Sequence, residues 1–251
     1  MTPESDKLWL SVSPHLKCFD QRLLSQLVKH TLIQRWEYSQ TLDEPCSIDS
    51  VVESLHDYLS QGTSKIHLIG HGVSGIVGLL YARRHPEQVA SLTLLSVGAL
   101  PAVNWQAHYY ALRQLLPCSR EIILGQMTRL LFGQQSVSFT TALAQLLARD
   151  LDSNLTLHSL AHHTEISPGG VAVPLLVCTG AIDSIVCAQK QLLWYDWMKP
   201  TDRLWICPEG NHFFHFHHFK AAAEVVSGHW QASLSNTAQT LVPARLSQSQ
   251  S

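Results

Sequence analysis

Short runs of β-branched and aromatic residues alternate, over most of this chain, with longer stretches in which apolar residues recur every three or four positions. That alternation admits few folds, because strand, helix and strand in succession close most readily as a parallel sheet covered by helices on both faces. The expected strands are residues 8–13, 33–38, 66–69, 91–96, 175–179 and 203–207. Residues 19–29, 48–60, 73–85, 188–198 and about 219–230 carry the helical period. An α/β fold with a mostly parallel sheet is the expectation, and 251 residues are enough for one large domain of that kind.

The alternation stops after Gly98. Residues 99–173 hold helical patterns at 106–116, 120–132 and 140–151 and no convincing strand, so they are expected to form a helical cap inserted between core segments 1–98 and 174–232. Trp105, Tyr109, Tyr110 and Phe132 in this stretch either line an apolar ligand pocket or pack as plain core. From Ser233 to Ser251 the periodicity fades and the chain ends Ser-Gln-Ser-Gln-Ser, which predicts a disordered tail.

Composition removes several classes of function. Seventeen Lys and Arg against 19 Asp and Glu give a net charge of −2, with 14% of positions charged, so there is no basic field to hold a phosphate backbone. Nucleic acid is excluded as a main partner. No apolar run reaches the roughly 18 to 20 residues of a membrane span, and the first residues lack the layout of a signal peptide, so a cytoplasmic protein is expected. The six cysteines form no Cys-x-x-Cys pair and are expected to be structural thiols in a reducing compartment. The 15 histidines raise the question of metal binding or acid-base chemistry.

The most informative segment runs Lys65-Ile-His-Leu-Ile-Gly-His-Gly-Val-Ser-Gly-Ile-Val-Gly, a buried strand entering a glycine-rich turn and then an apolar helix. It resembles the nucleophile elbow of the α/β-hydrolase superfamily, commonly written G-x-S-x-G. The resemblance extends through Ser91-Leu-Thr-Leu-Leu-Ser-Val-Gly, Val173-Pro-Leu-Leu-Val-Cys-Thr-Gly-Ala-Ile-Asp and Pro208-Glu-Gly-Asn-His-Phe-Phe. It covers most of the chain and is strongest to bacterial esterase-like and lipase-like members with a helical cap. It implies an acid at Asp183 and a histidine at His212, each in a loop after a strand.

The nucleophile position, after Gly70-His71, is occupied by Gly72. A second register makes Ser74 the nucleophile, but it puts the bulky Ile76 where the helix must approach the strand closely, whereas the Gly72 register leaves Gly70, Gly72 and Ser74 all small. The oxyanion hole implied by the resemblance takes a backbone N-H from Val73 and one from the loop near His15, where Pro14 has none to give. The resemblance needs no cofactor. His212, His215, His217 and His218 form the densest histidine cluster, but adjacent histidines point apart, so no metal is expected. His162-His163, Arg83-Arg84 and residues 150–152 are expected at solvated helix faces and a helix end.

Three functions follow as expectations. The first is a degenerate hydrolase that retains Asp183 and His212 but binds an apolar or acyl ligand, or a protein partner, without attacking it. The second is a hydrolase or lyase whose Asp183-His212 dyad activates water or a substrate proton. The third is a serine hydrolase using Ser74.

Overall fold

The computed structural model describes residues 5–38, 47–62, 64–152 and 166–240, of which 234–240 are described in backbone only. Six strands, β1 (Lys7–Ser11), β2 (Gln34–Glu37), β3 (Ile66–His71), β4 (Val89–Leu95), β5 (Leu175–Gly180) and β6 (Arg203–Cys207), form one sheet in the order β2-β1-β3-β4-β5-β6. Every neighbouring pair is parallel. All six expected strands form, with no end shifted by more than two residues.

Parallel strands covered on both faces bury successive side chains alternately in two cores, which is why these segments read as continuous apolar runs. Leu8, Leu10, Leu68, Leu94, Leu175 and Val177 face helices α2 (Ile48–Leu59) and α3 (Gly72–Arg84). Trp9, Ile69, Leu95, Leu176 and Cys178 face α1 (Gln21–Leu27) and the last helix.

Three helices, α4 (Trp105–Leu115), α5 (Arg120–Phe132) and α6 (Val137–Leu151), lie between β4 and β5. Asn104, Ser119 and Ser136 cap them, each side chain accepting an amide of the first turn. An aromatic cluster fastens this layer to the core. Phe132 of α5 lies 4.7 Å from Phe19 and 4.7 Å, stacked, from Phe213, and such pairs add about 0.5–1.5 kcal/mol each beyond their buried area. Residues 153–165, which include His162 and His163, lie outside the described residues.

After β5 come α7 (Ala188–Leu192) and a short 3₁₀ turn, then β6, α8 (Phe214–His217) and α9 (Phe219–Thr240). The last helix runs ten residues beyond the expected end at 230, into the segment expected to be a disordered tail; residues 241–251 lie outside the described residues. Arg83 also departs from expectation. It is half-buried rather than solvated, donating to the carbonyls of Ser167, Gly169 and Gly170 and so holding the approach to β5 against α3, whereas Arg84 is exposed and pairs with Asp49.

Strand order decides where a ligand can sit. From β1 the chain moves outward to β2, and from β3 it moves the other way to β4, with α1 and α3 on opposite faces. The loops leaving the carboxyl ends of β1 and β3 therefore part and open a crevice, the place where parallel α/β sheets bind ligands. Close contact at the elbow fixes that crevice. A Cβ on Gly70 would lie 2.7 Å from the Gly75 amide nitrogen, and one on Gly75 would lie 2.6 Å from Val97 Cγ2 and 2.8 Å from the Gly70 oxygen. Gly75→Ala should accordingly lower unfolding free energy by about 2 kcal/mol or more in urea titrations. Gly125→Ala, mid-helix with no atom within 4 Å of the added Cβ, should be neutral or stabilising by up to about 1 kcal/mol.

Candidate active site

The elbow keeps its sharp turn without a side chain at its apex. Gly72 opens α3 at φ +52°, a conformation that glycine adopts without a Cβ penalty, and a Cβ built there meets nothing within 4 Å. Ser74, two residues on, is buried in the first turn of α3, and its Oγ accepts the Val12 N-H at 3.0 Å. That bond ties the helix to the end of β1.

The loops after β5 and β6 bring Asp183 and His212 together. Asp183 Oδ1 accepts the amides of Ile185 and Val186 at 2.8 and 3.0 Å, and Oδ2 lies 2.9 Å from His212 Nδ1. Burial pulls the Asp183 carboxyl upward, but His212 and the two amides outweigh it and hold the group below its ordinary value. An ionised Asp183 can only accept, so His212 donates to it through Nδ1, and in the neutral imidazole that leaves the lone pair on Nε2. Nε2 is buried and has no hydrogen-bond partner. This is the tautomer a general base requires.

Two residues that pattern reading missed steady the histidine loop. Ser96, at the end of β4 with φ +52°, donates its hydroxyl to the His212 carbonyl at 2.5 Å. His71 Nε2 reaches the same carbonyl at 3.3 Å. Burial, then the neighbouring His215 and His212, hold the His71 ring well below the usual imidazole range, so it is neutral. His215 is fully buried, with Nε2 3.0 Å from Asp20 Oδ1, while Trp9 Nε1 donates to Asp20 Oδ2 at 3.1 Å. Among the described residues, no group of three or more His, Cys, Asp or Glu side chains could hold a metal ion.

The expected oxyanion donors are brought together only in half. Val73 lies on the wall of the crevice, but His15 is exposed in a turn closed by Leu16 N to Ser13 O at 3.0 Å and does not line it. Pro14 presets that turn and carries His15 away. The Val12 amide is taken by Ser74. What this loop supplies to the crevice is Ser11, Ser13, Leu16 and Asp20. Of the two arrangements open to the aromatic residues of this stretch, the structure shows mostly core: Tyr109 and Phe132 are buried among Leu16, Phe19 and Phe213, Tyr110 is 41% exposed, and of the four only Trp105 lines the crevice.

Asp150 lies at the end of α6, as expected, and there it is buried, hydrogen-bonded to Gln106 of α4 and to Ser13. Its position was legible: Leu143, Leu147, Asp150 and Leu151 share the inner face of α6. Burial raises its carboxyl to about 7 against the lowering effect of those two bonds.

This is the fold of the α/β-hydrolases. The solved esterase EaEST of Exiguobacterium antarcticum superposes with a TM-score of 0.68 at 15% identity, covering 90% of this chain and 91% of its own. An esterase of Thermogutta terrifontis gives 0.68 at 15%, covering 90% and 89%, and a 2-hydroxy-6-oxo-6-phenylhexa-2,4-dienoate hydrolase of Rhodococcus sp. strain RHA1 gives 0.67 at 14%, covering 90% of each. No family model matches the chain. Within the fold, the chain belongs to the family of two cyanobacterial proteins, "Uncharacterized protein sll0249" of Synechocystis sp., 43% identical over 232 residues, and "Uncharacterized protein alr2406" of Nostoc sp., 40% identical over 231, with 92% of each chain covered.

Raising the Asp150 carboxyl in the folded chain has a definite sign for stability. Between about pH 4 and 7 the folded chain holds a proton on Asp150 that the unfolded chain has released, so this group's contribution is fully present below about pH 4 and declines as pH rises to about 7. The slope is at most about 1.4 kcal/mol per pH unit. Urea titrations across that range should show a decline in the natural protein that Asp150→Asn removes.

Proposed function

We propose that this chain is a degenerate α/β-hydrolase, one that keeps the fold and the Asp183-His212 pair but forms no acyl-enzyme. The observation that carries this reading is Gly72 at φ +52°, an elbow apex with no atom to attack a carbonyl. In comparable triads, loss of the nucleophile costs on the order of a million-fold in turnover. Ser74 does not replace it, because its Oγ is engaged by the Val12 amide and His212 Nε2 is bonded to nothing. In this reading α4, α5 and α6 are a cap over the carboxyl edge, Val73 offers an amide to a ligand oxygen, and the ligand is a small acyl or apolar molecule held without covalent attack. The crevice above Gly72 measures about 20 Å³, so such a ligand enters only when the cap moves outward.

A second reading is favoured by one further observation, the buried lone pair of His212 beside an ionised Asp183. Here His212 Nε2 takes a proton from water as the water oxygen bonds to an acyl carbon, and returns it to the leaving oxygen as the old C-O bond breaks. Acid-base catalysis of this kind gives roughly a hundred- to ten-thousand-fold. No described helix is long and apolar enough to cross a membrane, and Cys18, Cys118, Cys178, Cys187 and Cys207 are free thiols. Both features support the cytoplasmic location proposed for it.

Covalent labelling and ester turnover separate these readings. A serine-directed phosphonate probe should leave the natural protein unlabelled, and short-chain nitrophenyl esters should turn over no faster with it than with His212→Ala. Gly72→Ser should restore labelling. Unlabelled protein with turnover lost in His212→Ala would replace the first reading by the second, and labelling of the natural protein abolished in Ser74→Ala would overturn both.

A further inference from the structure

The crevice between the ends of β1 and β3 is lined by Gly72, by Trp105 and Gln106 of α4 and by Phe213, and measures about 20 Å³. One water needs roughly 10–15 Å³ measured in this way, together with two to four polar partners. Drug-sized ligands need several hundred.

The walls supply both kinds of hydrogen-bonding group. Helix α3 is 13 residues long and begins at Gly72, and its N-cap residue His71 offers no side-chain bond, so first-turn amides at Gly72 and Val73 are donors without a side-chain partner. The acceptor comes from the opposite wall. Gln106 is 3% exposed, and its Oε1 has no hydrogen-bond partner. Its amide nitrogen is the end that can donate to the Asp150 carboxyl, so the bond between those two residues leaves the carbonyl end over. A buried acceptor left unmade is costly. The Ser74 hydroxyl accepts from Val12 and keeps its own hydrogen to give.

We propose that the crevice above Gly72 is a binding site for a single small uncharged molecule that both accepts and donates hydrogen bonds, and that its occupant is water. The water accepts from the first turn of α3 and donates to Gln106 Oε1. It stands in the open space that a Cβ at position 72 would enter, so a serine there would compete with it. Asp150 acts as a positioning residue through its hold on the Gln106 amide. For function, this inference rests on the reading that Gly72 takes the nucleophile's place; the site itself then explains what fills a hydrolase elbow that has no hydroxyl.

The test is occupancy in the absence of any substrate, so it can fail independently of the labelling and turnover assays. A crystal structure of the unmodified chain, at a resolution that places waters, should contain one water within hydrogen-bond distance of Gln106 Oε1 and of an α3 first-turn amide. Gln106→Met, which keeps the bulk and removes the acceptor, should reduce its density to background, and Gly72→Ser should replace it by the serine hydroxyl. In solution the natural protein should give a nuclear Overhauser contact between long-lived water and the Val73 amide, a readout that requires no variant to fold. A dry crevice, a protein donor on Gln106 Oε1, or density unchanged in Gln106→Met would overturn the proposal.

Discussion

At the carboxyl end of β3 the backbone of α3 passes so close to the strand that Gly70 and Gly75 leave no room for a Cβ on either, and the rest of the site is arranged around that contact. The approach pins the start of α3 beside the end of β1, where the Val12 amide finds the Ser74 hydroxyl. It sets the width of the crevice, and it forces the apex residue into a left-handed conformation that glycine meets without strain. The elbow is thus a structural device as much as a chemical one. Here its apex is Gly72.

Around this contact the polar groups are arranged by burial rather than by exposure to water. Asp183 stays ionised because His212 and two amides compensate its desolvation, whereas Asp150, bonded only by neutral groups, is held near neutrality. His71 stays neutral between two other imidazoles. The same low-dielectric layer that makes His212 Nε2 and Gln106 Oε1 costly to leave unpaired gives each of them reason to meet a ligand, a substrate proton or a water. Asp183 has a second office, capping the turn at Ile185 and Val186, so part of its role is to hold the loop itself.

The fold was legible because it rests on local periodicity. The six strands and Arg120–Phe132 follow from short-range pattern, and the small residues Gly70 and Gly75 mark where strand and helix come close. The meeting of particular polar residues was legible only where a loop after a strand carried them, as with Asp183 and His212. His15 fell away because Pro14 turns the loop outward, and Tyr109 and Phe132 became core because α4 and α5 pack tightly on Phe19 and Phe213. The length of α9 was missed because weak periodicity after Trp230 does not prevent a helix from continuing.

By itself, the amino-acid sequence determined the layered parallel architecture, the glycine turn and the absence of a side chain at position 72, since each is set by local pattern or by residue identity. Tertiary structure alone decided which buried groups meet: Asp150 with Gln106 and Ser13, Asp20 with His215 and Trp9, Ser96 with the His212 carbonyl. These pairings join residues up to 195 positions apart. Their partners are chosen by how helices and loops pack, and periodicity within any one segment carries no record of that choice.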